Sequence, residues 1–373
     1  MLIYMDHAAT APVRDEVIEG VLEVGYGNPS AMYGLGREAK AAMEEARECV
    51  AQALAAQPRE ISFTSGGTEA NNWAILAAAR ARKAAGRHIV TTSIEHHSVL
   101  HSYRQLEREG FEVTYLPVDG KGFLEVGTLR EALRPDTILI SLMMANNEVG
   151  SIQPVAEVAR IGRARGILVH TDAVQAFGHV CVDVNALGVD MLSISGHKFG
   201  ALKGVGALYV SQNTKIPNLI HGGAQERGRR AGTENTWGIA SMGIAARLAA
   251  SELGDVHRVE AMREALWQEI LRCTEGKALR NSPADNCLPG ILNVSFPGIE
   301  SESLLLLLDA EGLCASSGAA CASGSAEVSH VLEAMGMPRP RAKSSIRLSL
   351  GHTTHPSQVP LAAGIIRKAL YGR

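Results

Sequence analysis

The 373-residue sequence lacks the features of several common protein classes. Lys and Arg number 36 against 39 Asp and Glu, and this net charge of −3 gives no electrostatic reason to expect nucleic-acid binding. The longest uniform apolar run, residues 304–308, is too short to span a bilayer, and Asp6 leaves no room for a secretory apolar stretch before it. We therefore expect neither a nucleic-acid nor a membrane partner.

Cysteine is also scarce. The six cysteines include no C-x-x-C pair and are scattered, which favours neither a zinc site nor a disulfide framework and is typical of a reducing cytoplasm. His97 and His101 stand four residues apart, but no Glu follows the H-E-x-x-H pattern, so we interpret them as surface histidines. No metal is expected.

Apolar residues make up 46% of the chain and aromatics only 4%, which indicates a large core of Ala, Leu, Val and Ile. Short β-branched runs alternate with helical patterns, a signature of repeated βα units. We predict an α/β fold with one mostly parallel seven-stranded sheet and a smaller α/β domain after about residue 253. The predicted strands are residues 61–64, 88–92, 113–116, 137–144, 167–170, 191–195 and 205–210.

Two local motifs lack the context that they need. Residues 34–39 match G-x-G-x-x-A but follow no strand, so a dinucleotide site is not supported. Ser195 and Lys198 satisfy S-x-x-K, yet the companion motifs of serine β-lactamases are missing and the serine ends a predicted strand. A serine hydrolase remains a weak alternative.

Ligands of α/β sheets collect at the carboxyl ends of the strands, and three predicted strand ends carry matching chemistry. Residues 61–64 lead into Ser65-Gly-Gly-Thr68 and a helix, which favours an anion site. Asp172 follows another strand, and Lys198 a third. An anion cradle, a carboxylate and a lysine are what pyridoxal 5′-phosphate requires.

Ten stretches, spread in order over nearly the whole chain, resemble the cysteine desulfurases of the NifS/IscS type, within the fold-type-I pyridoxal-phosphate enzymes. The stretches are Met5-Asp-His-Ala-Ala-Thr10, Gly27-Asn-Pro-Ser30, Phe63-Thr-Ser-Gly-Gly-Thr-Glu-Ala-Asn-Asn72, Glu95-His96, Asn146-Asn-Glu-Val-Gly150, His170-Thr-Asp-Ala-Val-Gln175, Ser195-Gly-His-Lys198, Arg229-Arg-Ala-Gly-Thr233, Ser316-Ser-Gly-Ala-Ala-Cys321 and Ser344-Ser-Ile-Arg-Leu-Ser-Leu-Gly351. The resemblance implies a large cofactor-binding domain at residues 15–252. A small domain of residues 1–14 and 253–373 would carry the catalytic cysteine.

The resemblance also implies the roles of residues around the cofactor ring. Lys198 would form the Schiff base and move protons, assisted by His197. Asp172 would pair with the ring nitrogen, and Gln175 would bind the ring hydroxyl. His96 would stack on the ring and assist acid–base steps.

By the same resemblance, Gly67, Thr68 and Ser195 would hold the phosphate. Thr233 would reach the phosphate of the other subunit, so a homodimer is expected. Asn147 would contact cofactor or substrate.

For the substrate L-cysteine, Arg347 would bind the carboxylate, a task that suits its planar fork. The Cys321 thiolate would attack the substrate sulfur, keep it as a persulfide and release alanine. A sulfur-acceptor protein in iron–sulfur cluster assembly or tRNA thiolation would then receive the sulfur.

Two alternatives remain open from the sequence. A selenocysteine lyase or a cysteine-sulfinate-type lyase on the same fold need not use a protein thiol. A non-catalytic scaffold would lack the lysine or the cysteine, and this chain has both.

Overall fold

The computed structural model describes residues 2–318 and 328–372. Its strands in chain order are β1 (Ile3–Tyr4), β2 (Ile61–Thr64), β3 (His88–Thr92), β4 (Glu112–Leu116), β5 (Thr137–Met143), β6 (Leu168–Asp172), β7 (Met191–Ser195), β8 (Gly206–Val210), β9 (Leu279–Arg280), β10 (Ile291–Ser295), β11 (Leu313–Cys314) and β12 (Ser345–Ser349). The main sheet has the order β2-β8-β7-β6-β5-β3-β4. Only β8 runs against its neighbours, so the predicted mostly parallel seven-stranded sheet is confirmed.

Helices cover both faces of this sheet. In chain order they are α1 (Asp15–Leu22), α2 (Gly34–Ala53), α3 (Gly67–Arg82), α4 (His97–Arg108), α5 (Val126–Ala132), α6 (Val155–Ala164), α7 (Val184–Leu187), α8 (Thr236–Ser251), α9 (Val256–Cys273), α10 (Ser301–Ala310), α11 (His330–Ala334), α12 (Arg339–Lys343) and α13 (Gln358–Tyr371). One core joins α2, α6 and α8 to the sheet, and another joins α3 and α4 to its other face. The strands are buried on both sides, which explains their continuous apolar runs.

A third core surrounds a three-stranded sheet of order β12-β10-β9, covered by α9, α10 and α13. Ile3 and Met5 lie in this core, since β1 pairs in parallel with β11. The N-terminal strand is therefore packed with elements that follow residue 253. The division into domains at residue 252 stays a prediction.

The bounds of β6 differ from the prediction, whereas the G-x-G-x-x-A stretch lies where it was expected. The strand predicted at 167–170 is Leu168–Asp172, because the ladder continues through Asp172, which pairs with Met143 and Ser193. Asp172 therefore ends the strand instead of following it. The G-x-G-x-x-A stretch opens α2 directly, without a preceding strand, as expected for a fortuitous match.

No helix within residues 2–318 and 328–372 has the length and apolar character needed to cross a bilayer. The same residues contain no group of three or more His, Cys, Asp and Glu side chains arranged to hold a metal ion.

A buried ion pair fixes the segment after β8 against β2. The Arg47 guanidinium contacts both Glu226 oxygens at 2.8 and 2.9 Å, and the Phe63 backbone N–H donates to the same carboxylate at 2.8 Å. The side chains of Arg47 and Glu226 are 2% and 3% exposed. Breaking a buried pair leaves an uncompensated charge in the core.

We expect Glu226→Gln to lower the free energy of unfolding by about 3 kcal/mol, because Arg47 would lose its buried counter-charge and keep only the partly exposed Glu44, 3.3 Å from its Nε. Urea denaturation checks this. Glu157→Gln is the control, since its pair with Arg130 is 3.3 Å long and both side chains are nearly half exposed. That change should cost less than about 0.5 kcal/mol, and equal losses in both variants would contradict the prediction.

Candidate active site

A cavity of about 400 Å³ opens at the carboxyl ends of the parallel strands. Ten residues predicted for the site line it: Gly67, Thr68, His96, Asn147, Asp172, Gln175, Ser195, His197, Lys198 and Arg347. Residues separated by 280 positions in the chain therefore meet at one edge of the sheet, as the strand arrangement requires. Their individual roles stay predictions.

One end of the cavity is formed by the start of α3. Gly66 has φ 154°, and a Cβ at Gly67 would lie 2.6 Å from Val174 Cγ2, so the turn requires glycine. The first N–H groups of a helix have no acceptor within the helix, and its dipole attracts negative charge. Ser195 lies beside this turn and completes a cradle suited to a phosphate.

Lys198 lies in the 3₁₀ turn that follows β7. Its ammonium donates to the carbonyl oxygens of Ala8 at 2.6 Å and Ala9 at 2.9 Å. The neighbouring His197 ring contacts Thr10 Oγ1 at 3.2 Å. Burial, followed by the charge of Lys198, lowers the pKa of His197 to about 4, so this imidazole is neutral at pH 7. The N-terminal segment thus forms the wall against which the lysine is held.

The Asp172 carboxylate accepts hydrogen bonds through both oxygens. Val174 N–H donates to Oδ1 at 2.9 Å, and the Asn71 amide donates to Oδ2 at 2.6 Å. Gln175 donates from its amide nitrogen to Ala8 O at 2.8 Å. These contacts fix an acidic group in the cavity wall, where it can face a protonated ring nitrogen.

Arg347, on β12, lines the opposite part of the cavity. Its two terminal nitrogens donate to Asn147 O and to Asp6 Oδ1, each at 2.8 Å. Its Nε is buried and has no hydrogen-bond partner within residues 2–318 and 328–372. A buried N–H without an acceptor is costly, so this atom suits an incoming carboxylate oxygen.

Two predicted site residues are not among the ten. Cys321 is outside the described residues. Thr233 is exposed and does not line the cavity, although its segment is held close by. Arg230 pairs with Glu69 at 2.8 Å, and Asn235 donates to Gly204 O; both partners line a second opening beside the phosphate cradle.

The sequence reasoning did not assign roles to Asn71, Ser98 or Asp6. Each of the three lies within or beside one of the family stretches given above. For Asn71, the sequence signal is a polar side chain on the buried face of the Ala-rich helix α3. His97, predicted to lie at the surface, is instead half-buried. Its ring packs 4.8 Å from the ring of His330.

The cavity fits pyridoxal 5′-phosphate at three points: a glycine cradle for the phosphate, a fixed carboxylate for the ring nitrogen and a lysine that lines the same cavity. At position 67, only glycine avoids a clash with the Val174 side chain. The residues present therefore suit this cofactor.

We expect Gly67→Ala to weaken binding of pyridoxal phosphate at least about tenfold, because the new methyl group must displace Val174 and widen the cradle. Titration of the cofactor by its absorbance measures this. Gly127→Ala in α5 is the control, since a Cβ there meets nothing within 4 Å. Unchanged affinity in Gly67→Ala would show that the start of α3 does not bind the phosphate.

Comparisons with known proteins agree with this geometry. Residues 3–361 match the family model described as aminotransferase class-V. A cysteine desulfurase IscS from Methanosarcina thermophila is 51% identical over 94% of this chain and 87% of its own length, and one from Dictyoglomus turgidum is 48% identical over 99% and 94%. A solved structure titled NifS-like protein superposes with a TM-score of 0.94, at 39% identity and full coverage of both chains. The chain belongs to the class-V aminotransferase family and, within it, to the pyridoxal-phosphate-dependent cysteine desulfurases.

Proposed function

We propose that this protein is a cysteine desulfurase that converts L-cysteine to L-alanine and keeps the sulfur as a persulfide on Cys321. The observation that carries the proposal is the meeting of Lys198, Asp172 and the start of α3 in one cavity, in a chain of the desulfurase family. The geometry supplies a place for the cofactor and, at Arg347, a cation for an amino-acid carboxylate.

Pyridoxal phosphate, when bound, supplies an electron sink that labilises bonds at the substrate Cα and Cβ. The protein groups orient it and move protons. Asp172 holds the ring nitrogen protonated, and the first turn of α3 binds the phosphate. Once its amine is neutral, Lys198 would accept the Cα proton and return a proton, because the residue directly follows β7 and lines the cavity.

Arg347 orients the substrate. The residue is only 2% exposed, so a bound carboxylate is shielded from water and the pairing is stronger than on a surface. Asp6 already shares one nitrogen at 2.8 Å, which keeps the guanidinium plane fixed before the substrate arrives. Asn147 is held next to this pair through its carbonyl oxygen.

Sulfur transfer is a displacement at the substrate sulfur. The Cys321 thiolate forms a bond to that sulfur while the Cβ–S bond breaks, and Cβ then takes up a proton to give alanine. A free thiol has a pKa of ~8.5, so loss of its proton to a neighbouring base is required first. No oxidant is consumed, because Cβ is reduced while the Cys321 thiol is oxidised to the persulfide.

The lyase alternative is not favoured, because the similar proteins reported above are named cysteine desulfurases and this chain has the cysteine at position 321. We propose iron–sulfur cluster assembly or tRNA thiolation as the use of the sulfur, with a protein acceptor. The five cysteines in the described residues are free thiols, and persulfide chemistry needs reduced thiols, so we place the enzyme in the cytoplasm.

We also propose a homodimer. Large apolar side chains are exposed on α1, on the connection to α2 and at the start of α8: Leu22, Tyr26, Met32, Tyr33 and Trp237, with exposures from 51% to 91%. Trp237 joins these elements by donating to Val24 O at 3.0 Å. An exposed apolar face of this kind indicates an interface. Thr233 precedes the start of α8 by three residues.

Cys321→Ala should abolish persulfide formation while cofactor binding is kept, because only the nucleophile is removed. Alanine and sulfide released from L-cysteine with reductant are measured for both proteins. Cys181→Ala, at an exposed thiol, is the control and should stay active. Equal turnover in Cys321→Ala would favour a lyase, and inactivity of the unaltered protein with bound cofactor would favour a scaffold.

Subunit complementation tests the role of Thr233. Dimers of Lys198→Ala alone and of Thr233→Asp alone should both be inactive, the second because a carboxylate would repel the phosphate. If Thr233 serves the other subunit, a mixed dimer contains one intact site, and activity should return to about a quarter of normal after random mixing. No recovery would place Thr233 in its own subunit's site.

A further inference from the structure

Two buried polar side chains beside the cavity have no part in the reaction as proposed so far. Asn71 lies on α3 and Ser98 on α4, and they are 1% and 8% exposed. Buried polar groups are costly unless their hydrogen bonds are satisfied. Their partners include two of the groups expected to contact the cofactor, Asp172 and His96.

The amide of Asn71 has a single possible orientation. Its nitrogen donates to Asp172 Oδ2 at 2.6 Å and to Ser98 Oγ at 2.9 Å, which uses both of its hydrogens. A flipped amide would direct its oxygen at the Asp172 carboxylate, which only accepts. The amide oxygen stays buried and unpaired within residues 2–318 and 328–372, so the two donated bonds determine the orientation.

The direction of the next hydrogen bond follows. Ser98 Oγ accepts from Asn71 and has one hydrogen to donate, and it lies 2.8 Å from His96 Nδ1, which the backbone contact described next makes an acceptor. The backbone N–H of Ser98 donates to the same ring nitrogen at 3.1 Å, because His96 caps the start of α4. Nδ1 thus receives two donors, and the hydrogen of the neutral imidazole must lie on Nε2.

We infer that Asn71 and Ser98 are positioning residues that hold His96 as the Nε2–H tautomer and fix the Asp172 carboxylate in the same network. The inference rests on the proposed function for the roles of those two groups. It joins the imidazole predicted to stack on the ring face to the carboxylate predicted to face the ring nitrogen.

The network sets the resting state from which any acid–base role of His96 starts. A second proton would have to enter at Nδ1, where a rigid backbone N–H already points. Burial lowers the pKa of His96, and Lys198, His97 and His330 act in the same direction, against Asp172. His96 therefore rests as a neutral imidazole that can donate through Nε2.

Three substitutions test the network. Ser98→Ala removes the hydroxyl that links Asn71 to His96, and Ser98→Thr restores a hydroxyl. Ser102→Ala is the matched control: this serine is buried one turn later on α4, and its hydroxyl donates only to Ser98 O, at 2.7 Å. The tautomer of His96 is read by nitrogen NMR of ¹⁵N-histidine-labelled protein, with and without pyridoxal phosphate, and His96→Gln assigns the signal.

In the unaltered protein, Ser98→Thr and Ser102→Ala, we expect the His96 hydrogen on Nε2. In Ser98→Ala we expect a mixture of both tautomers and a fall in kcat of about fivefold, the effect of one lost hydrogen bond, with KM for L-cysteine within about twofold of normal. Ser102→Ala should keep both constants.

A hydrogen on Nδ1 in the unaltered protein would overturn the inference, and so would a Ser98→Ala variant with unchanged tautomer and kcat. Equal losses in Ser98→Ala and Ser102→Ala would show a merely structural effect and overturn it too. A tautomer shift in a protein that binds the cofactor but releases no alanine from L-cysteine would uphold the network and refute the proposed function.

Discussion

The cavity depends on the parallel pairing of β6 with β5 and β7. The register places Asp172 beside Met143 on one side and Ser193 on the other, so the carboxyl ends of three strands finish at one edge. Because β8 is the one reversed strand between β2 and β7, β2 also points its end to this edge. The phosphate cradle, the carboxylate and the lysine therefore meet without any long connection.

Close backbone packing maintains this arrangement at the cradle. A Cβ at Gly206, where β8 starts, would lie 2.6 Å from the backbone carbon of Gly66. The strand can approach the turn because position 206 is glycine, while Gly66 is required by its backbone φ of 154°. The opposite end of the cavity uses charge instead, through Arg347 and Asp6. One end is thus set by shape and the other by electrostatics.

The main sheet could be predicted from sequence because its strands are short, continuous apolar runs, and the site residues because they follow those runs. The end of β6 was predicted two residues too early, at His170, since a carboxylate inside a buried ladder breaks the usual pattern. Asn71 and Ser98 could not be found this way. They are 27 residues apart on separate helices, and the packing of α3 against α4 alone brings them into contact.

The pairing of Asp6 with Arg347 joins residues 341 positions apart. Ala8 and Ala9 likewise supply the oxygens that hold the Lys198 ammonium. A nascent chain on the ribosome therefore contains the phosphate cradle and the lysine long before the arginine emerges. Complete assembly of the cavity must wait until synthesis has passed β12, so the finished site forms long after the cradle and the lysine have been made.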